Sequence, residues 1–152
     1  MINEGDAVPA MTLALSDGTT LDLAAADGPL LLYFYPKDDT SGCTREAQDF
    51  TELAADFAKA GARVVGVSRD PMTKHDKFIA KYGLKVRLVS DESGALSEAF
   101  GTWIEKSMYG RKYMGMERAT FLIRDGRVVR AWRKVKVAGH AEDALKALGQ
   151  IG

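Results

Sequence analysis

Leu30-Leu31-Leu32-Tyr33-Phe34-Tyr35-Pro36-Lys37-Asp38-Asp39-Thr40-Ser41-Gly42-Cys43 is the stretch on which the fold turns. Six apolar residues in a row, without alternation, suit a strand covered on both faces. Pro36 ends that strand, because it brings no N–H to the ladder. From about residue 44 to 60 the spacing becomes helical, with Ala47, Phe50, Leu53, Ala54 and Phe57 on one stripe and Gly61 as the stop. Val64-Val65-Gly66-Val67 then reads as a second buried strand. Strand, helix, strand in so short a span implies a right-handed crossover and parallel pairing.

Working outward, Pro71 opens a further helix with Phe78, Ile79 and Tyr82 inward and Gly83 at its end. Val86, Leu88 and Val89 give a third strand, and Leu96, Ala99 and Phe100 a brief helix stopped by Gly101. Toward the N-terminus, Met11, Leu13 and Leu15 alternate with polar residues, Asp17-Gly18 turns the chain, and Leu21 and Leu23 resume, the pattern of a hairpin. Toward the C-terminus, residues 119–123, Asp125-Gly126 and residues 128–135 form a second hairpin, so an antiparallel pair joins the sheet. A last helix over about 140–148 buries Leu145 and Leu148. Residues 103–117, irregular, aromatic and glycine-bearing, are expected to fold over the rest as a loop. The expectation is a single α/β domain over residues 1–152, with a mixed central sheet, flanking helices and an N-terminal β-hairpin.

Composition narrows the chemistry. Of 152 residues one is cysteine, which excludes an intrachain disulfide framework and cages of several thiolates for zinc or iron–sulfur. Twenty-one Lys and Arg balance 21 Asp and Glu, against the strong basicity usual for nucleic-acid binding. Charge is uneven, net −8 over residues 1–60 and net +7 over 102–137, and is read as solvated faces of two interleaved halves. The opening Met-Ile-Asn-Glu-Gly-Asp does not read as a signal peptide, and the longest apolar run is far short of the roughly 20 residues that span a bilayer. A soluble protein of a reducing compartment, the cytoplasm, is expected, without membrane or nucleic-acid partners. Neither a phosphate-binding Gly-rich loop with Lys-Ser/Thr nor a His-Glu-x-x-His helix is present.

Cys43 stands out before any comparison. It enters the first turn of the predicted helix, where free N–H groups and the positive end of the macrodipole favour a thiolate nucleophile. The alternative is a small buried hydrophobe. Thr40 can donate one hydrogen bond while accepting another, or simply cap the helix. Gly42 lets a reactant approach the backbone, or merely punctuates the turn. The N–H groups of Gly42 and Cys43 can hold an oxygen substrate as helix N-termini hold anions. His75 and His140, each near a predicted helix start, are expected to cap or to be exposed. Asp38 and Asp39 are expected to be solvated, and Met108, Tyr109, Tyr113, Met114 and Met116 to form a packed or partner-facing surface.

Pro36, Thr40 and Cys43 reproduce the Pro-x-x-x-Thr-x-x-Cys motif of peroxiredoxins, and residues 33–50 resemble the peroxiredoxin Q (bacterioferritin comigratory protein) subfamily. Further ordered matches lie at Lys81-Tyr-Gly-Leu, Ser90-Asp-Glu, residues 108–123 and Trp132-Arg-Lys-Val-Lys-Val. The resemblance implies a thioredoxin-like fold and a cofactor-free thiol peroxidase that reduces hydrogen peroxide and organic hydroperoxides. By position, Cys43 is the peroxidatic cysteine, Thr40 the residue bonding the peroxide, and Pro36 a wall of the pocket. Arg118 matches the arginine that approaches from a distant strand, and Glu46 the carboxylate that orients it. Gln48 and Ile79 stand where relatives carry a resolving cysteine, so a one-cysteine cycle is implied. Its sulfenic acid would be reduced by an outside thiol such as thioredoxin, glutaredoxin or a low-molecular-weight thiol, in a monomer or homodimer. Ser41 replaces a more usual proline. Two rival readings are a thiol–disulfide oxidoreductase on the same fold, which lacks a Cys-x-x-Cys pair, and a non-enzymatic polyanion binder. The latter would use Arg127, Arg130, Arg133, Lys134 and Lys136.

Overall fold

The computed structural model describes residues 1–151. Its centre is a five-stranded sheet in the order β5-β4-β3-β8-β9. The uninterrupted apolar run is its middle strand, β3 (Leu30–Phe34), buried along its whole length. It pairs in parallel with β4 (Arg63–Ser68), which pairs in parallel with β5 (Arg87–Ser90). On its other side β3 pairs antiparallel with β8 (Ala119–Arg124), and β8 with β9 (Arg127–Trp132). The sheet is therefore mixed, as expected.

Alternation along β3 explains why no polar residue interrupts it. Leu30, Leu32 and Phe34 enter one core, with Leu13 and Leu21 of the N-terminal hairpin β1 (Thr12–Ala14) and β2 (Thr20–Asp22) and with Leu96 and Phe100 of α4 (Ala95–Phe100). Leu31, Tyr33 and Tyr35 enter the other. That second core also takes Ala47 and Phe50 of α1 (Ser41–Glu52), Phe57 of α2 (Ala54–Lys59), Phe78 of α3 (Met72–Tyr82) and Leu148 of α5 (His140–Gln150). Helices α1, α2, α3 and α5 cover one face; α4 and the hairpin cover the other. Gly83 ends α3 in the left-handed conformation (φ 61°), where an L side chain is strained.

Two segments differ from expectation. The helix expected over about 44–60 is two helices, broken at Leu53 (φ −95°, ψ 6°). Residues 103–117 are not an irregular loop but a hairpin, β6 (Trp103–Met108) against β7 (Arg111–Met116). Its turn is Tyr109-Gly110, both at positive φ (51° and 76°). Mirror-image turns of this kind match strand twist, and Asn or Asp is the usual first residue, which is why a tyrosine concealed the signal. Within this hairpin Met116 is buried, whereas Met108, Tyr109, Tyr113 and Met114 are exposed. No helix among the described residues is long and apolar enough to cross a membrane.

Candidate active site

Sheet register assembles the site. Phe34 pairs with Ala119, so Arg118, just before β8, leaves the sheet at the end where β3 hands the chain to residues 35–40 and α1. Tyr35 still donates its N–H to the Val67 carbonyl (3.0 Å), which keeps the chain on the sheet until Pro36. Pro36 itself is exposed.

Thr40 takes the extended backbone of a helix cap (φ −98°, ψ 157°), yet its side chain does not cap the helix. Its hydroxyl donates instead to the Lys37 carbonyl (2.8 Å), leaving the oxygen's lone pairs to accept. The first backbone bond of α1 runs from the Thr44 N–H to the Thr40 carbonyl (2.8 Å). The N–H groups of Gly42 and Cys43 precede it, among the donors that a helix start leaves without an intrahelical partner.

Cys43 is 2% exposed, its free thiol part of the core that holds Tyr33, Tyr35, Ala47 and Phe50. Nη2 of Arg118 donates to its Sγ at 3.4 Å, and Nη1 of Arg118 donates to Oε1 of Glu46 at 2.8 Å. One planar fork thus spans sulfur and carboxylate, a geometry lysine cannot supply. Oε2 of Glu46 makes no hydrogen bond. Burial pushes the Glu46 carboxyl up to about 7, against the pull of Arg118. For Arg118, burial works against its charge, but Glu46 and Cys43 outweigh it and hold the guanidinium above its usual value. Gly42, Cys43, Glu46 and Arg118 meet here, with Thr40 at the start of the same helix and Pro36 on the exposed chain before it; of these only Arg118 comes from far along the chain.

Sequence reasoning missed other parts. Lys106 on β6 is half-buried, and its ammonium is held below its usual value by burial and by Arg118, with Cys43 pulling the other way. No signal in the sequence marked it, since the hairpin itself was unread. Asp38 is buried rather than solvated, because His75 and Tyr35 bond both its oxygens. Asp39, as expected, is exposed. His75 and His140 are buried too, neither capping nor exposed: His140 bonds Thr120 (2.8 Å) and packs edge-on against Phe50 and Trp132. Burial pulls His140 down to about 4.

The supposed basic ribbon is broken up, since Arg133 is paired with Glu117 (3.0 Å) and Arg130 stacks over Trp132. A groove of about 760 Å³ lies between α2, β4, β5 and the N-terminal hairpin, walled by Ala54, Ala55 and Ala58; Cys43 does not line it. Among the described residues no three His, Cys, Asp or Glu side chains converge as a metal site.

The model of the AhpC/TSA family matches residues 4–132. The peroxiredoxin Bcp of Xanthomonas campestris pv. campestris is 54% identical over 140 residues, covering 91% of this chain and 88% of that protein. The peroxiredoxin Bcp of Bacillus subtilis is 44% identical over 149 residues, covering 97% and 95%. Among solved structures, a Cys→Ser mutant of Xylella fastidiosa PrxQ superposes with a TM-score of 0.92 at 42% identity, covering 99% of this chain and 98% of its own. A structure of the Xanthomonas campestris bacterioferritin comigratory protein, from work on its alkyl peroxide reduction activity, gives 0.88 at 50% identity, covering 96% and 99%. The chain belongs to the AhpC/TSA family, has the thioredoxin-like fold of the PrxQ and Bcp peroxiredoxins, and is a thiol-dependent peroxidase.

Proposed function

We propose that this chain reduces hydrogen peroxide and organic hydroperoxides by a one-cysteine cycle in which Cys43, Thr40 and Arg118 are the catalytic residues. The observation that carries this is the fork of Arg118 between Cys43 Sγ (3.4 Å) and Glu46 Oε1 (2.8 Å). The Cys43 thiolate attacks the terminal oxygen of the peroxide, forming an S–O bond as the O–O bond breaks. The other oxygen leaves with the electron pair and takes a proton to become water or an alcohol; sulfur is oxidised to the sulfenic acid and peroxide is reduced.

Each neighbour has a task in that step. The Thr40 hydroxyl, its own proton committed to Lys37, accepts from the peroxide O–H. Arg118 and the first-turn N–H groups of Gly42 and Cys43 stabilise charge as it develops on the departing oxygen. Glu46 holds the guanidinium in place, and Pro36 limits access of water.

With a single cysteine in the chain, the sulfenic acid condenses with an outside thiol, releasing water. A second thiol then frees Cys43. Thioredoxin, glutaredoxin or a low-molecular-weight thiol fits this role, in the cytoplasm, with the enzyme one domain acting as monomer or homodimer and binding neither nucleic acid nor membrane.

The test mixes reduced protein with one equivalent of peroxide and follows peroxide loss and intact mass. Rapid loss with one oxygen added at Cys43, absent in Cys43→Ser, is expected. Indifference to peroxide alongside ready exchange with disulfides would overturn the reading in favour of an oxidoreductase.

A further inference from the structure

Asp38 lies midway between Pro36 and Thr40, and its carboxylate is fastened from below. Tyr35 donates its hydroxyl to Oδ1 (2.5 Å), and Nδ1 of His75, on α3, stands 2.6 Å from Oδ2. His75 is wholly buried, and its Nε2 faces the Val89 carbonyl at 2.9 Å. A carbonyl only accepts, so Nε2 carries a hydrogen. A proton must then also lie between Nδ1 and Oδ2: on the ring if Asp38 is ionised, on Asp38 if the ring is neutral. Without it two lone pairs would face each other at hydrogen-bond distance, away from water.

The link reaches the catalytic loop directly. The Asp38 N–H donates to Oδ2 of Asp70 (2.8 Å), which Ser68 at the end of β4 also bonds (2.7 Å). Next to Asp38, the Lys37 carbonyl takes the Thr40 hydroxyl proton (2.8 Å) and so sets which way its lone pairs point. Asp39, at φ 57°, is held to α3 as well, by Lys81 (2.8 Å) and Tyr82 (2.6 Å). Those last contacts are exposed, and exposed ion pairs hold geometry weakly. The buried His75–Asp38 pair is the rigid one.

We infer that His75 is a positioning residue for peroxide reduction: through Asp38 and Lys37 it fixes the orientation of the Thr40 hydroxyl. The assignment rests on the peroxidase reading of Cys43. Partners of His75 from every side agree with it: Asp38 and Asp70 bring negative charge, and Val89 a carbonyl. These raise His75 above its usual value despite burial.

The experiment compares two reactions of the same sulfur in folded protein at 25 °C, oxidation by hydrogen peroxide and alkylation by iodoacetamide. Alkylation needs a reachable thiolate but not Thr40. In His75→Leu and Asp38→Ala the peroxide rate constant is expected to fall about tenfold, while the alkylation rate changes less than about twofold. Asp38→Asn is expected to recover at least half of the wild-type peroxide rate. Its amide N–H replaces the shared proton toward neutral His75, and its oxygen still accepts from Tyr35. If His75→Leu does not fold, the two Asp38 variants carry the test. Equal falls in both reactions, no fall in either, or an Asp38→Asn rate as low as that of Asp38→Ala overturns the inference alone. A wild-type protein inert to peroxide overturns the peroxidase reading with it.

Discussion

A Cβ placed on Gly42 would stand 3.1 Å from Nη2 of Arg118, the nitrogen that donates to Cys43. Glycine at this position is therefore what admits the guanidinium to the sulfur, beyond any role in turning the chain. Since Nη1 of the same fork is tied to Glu46 at 2.8 Å, Arg118 cannot retreat without loosening one bond or the other. Gly42→Ala is expected to slow the peroxide reaction severalfold with far-UV circular dichroism unchanged. A wild-type rate constant in stopped-flow would show that Arg118 accommodates the methyl group without cost.

Arg118 itself is the larger effect. Removing one preorganised donor to a charge-bearing atom typically costs a factor of about 10² to 10³. Arg118→Ala is expected to lower the second-order rate constant by at least about 10²-fold. Arg118→Lys should restore little of it, because a rotating ammonium does not reproduce the rigid planar fork held between Cys43 and Glu46. Recovery to wild-type rate by lysine would mean that only the charge matters, not the fork.

The pH dependence of stability follows from Glu46, only 1% exposed. Its carboxyl titrates near 7 in the folded protein and near 4.5 in a free chain. Between those values the folded state holds a proton that the unfolded chain has released. Glu46 therefore makes stability fall as pH rises from about 4.5 to about 7, by about 3 kcal/mol. His140 opposes it: held down to about 4 against an ordinary 6.5, it makes stability rise with pH over nearly the same interval. Wild-type protein should show a shallow profile there. Glu46→Gln should uncover the rising limb, so that its stability relative to wild type grows by about 3 kcal/mol from pH 4.5 to 7 in urea titrations. Parallel curves for the two proteins would contradict the buried carboxyl's role.

Those two groups mark what was legible in the sequence and what was not. The strand at 30–35, the helix start at Cys43 and the mixed sheet were legible because buried strands, prolines and glycines leave one-dimensional signals. Arg118 was legible only through resemblance to a family, since its approach to Cys43 is made by the pairing of Phe34 with Ala119, a tertiary fact. His75, His140 and Asp38 were misread because polar residues near a predicted helix start or turn are ordinarily wet. What keeps them dry is partners 14, 20 and 37 residues away in the chain. The β6–β7 hairpin was missed because Tyr109 occupies a left-handed position usually given to Asn, Asp or Gly.

Gln48, exposed on α1 and five residues beyond Cys43, offers a test of how much that helix must move. Five residues of α-helix rise roughly 7.5 Å along the axis, beyond the roughly 7 Å between Cα atoms that a disulfide can bridge. The segment Ser41–Glu52 is continuous helix, so a bond between positions 43 and 48 requires its first turns to unwind. Gln48→Cys, treated with one equivalent of peroxide, is expected to lose the mass of two hydrogens instead of gaining an oxygen, as the new thiol displaces water from the Cys43 sulfenic acid. The product should show less helix by circular dichroism and faster amide exchange confined to the start of α1. Reduction should restore both. Persistence of the sulfenic acid in this variant, with unchanged exchange, would show that the packing of Ala47 and Phe50 against the sheet holds α1 too firmly to open on the timescale of the reaction.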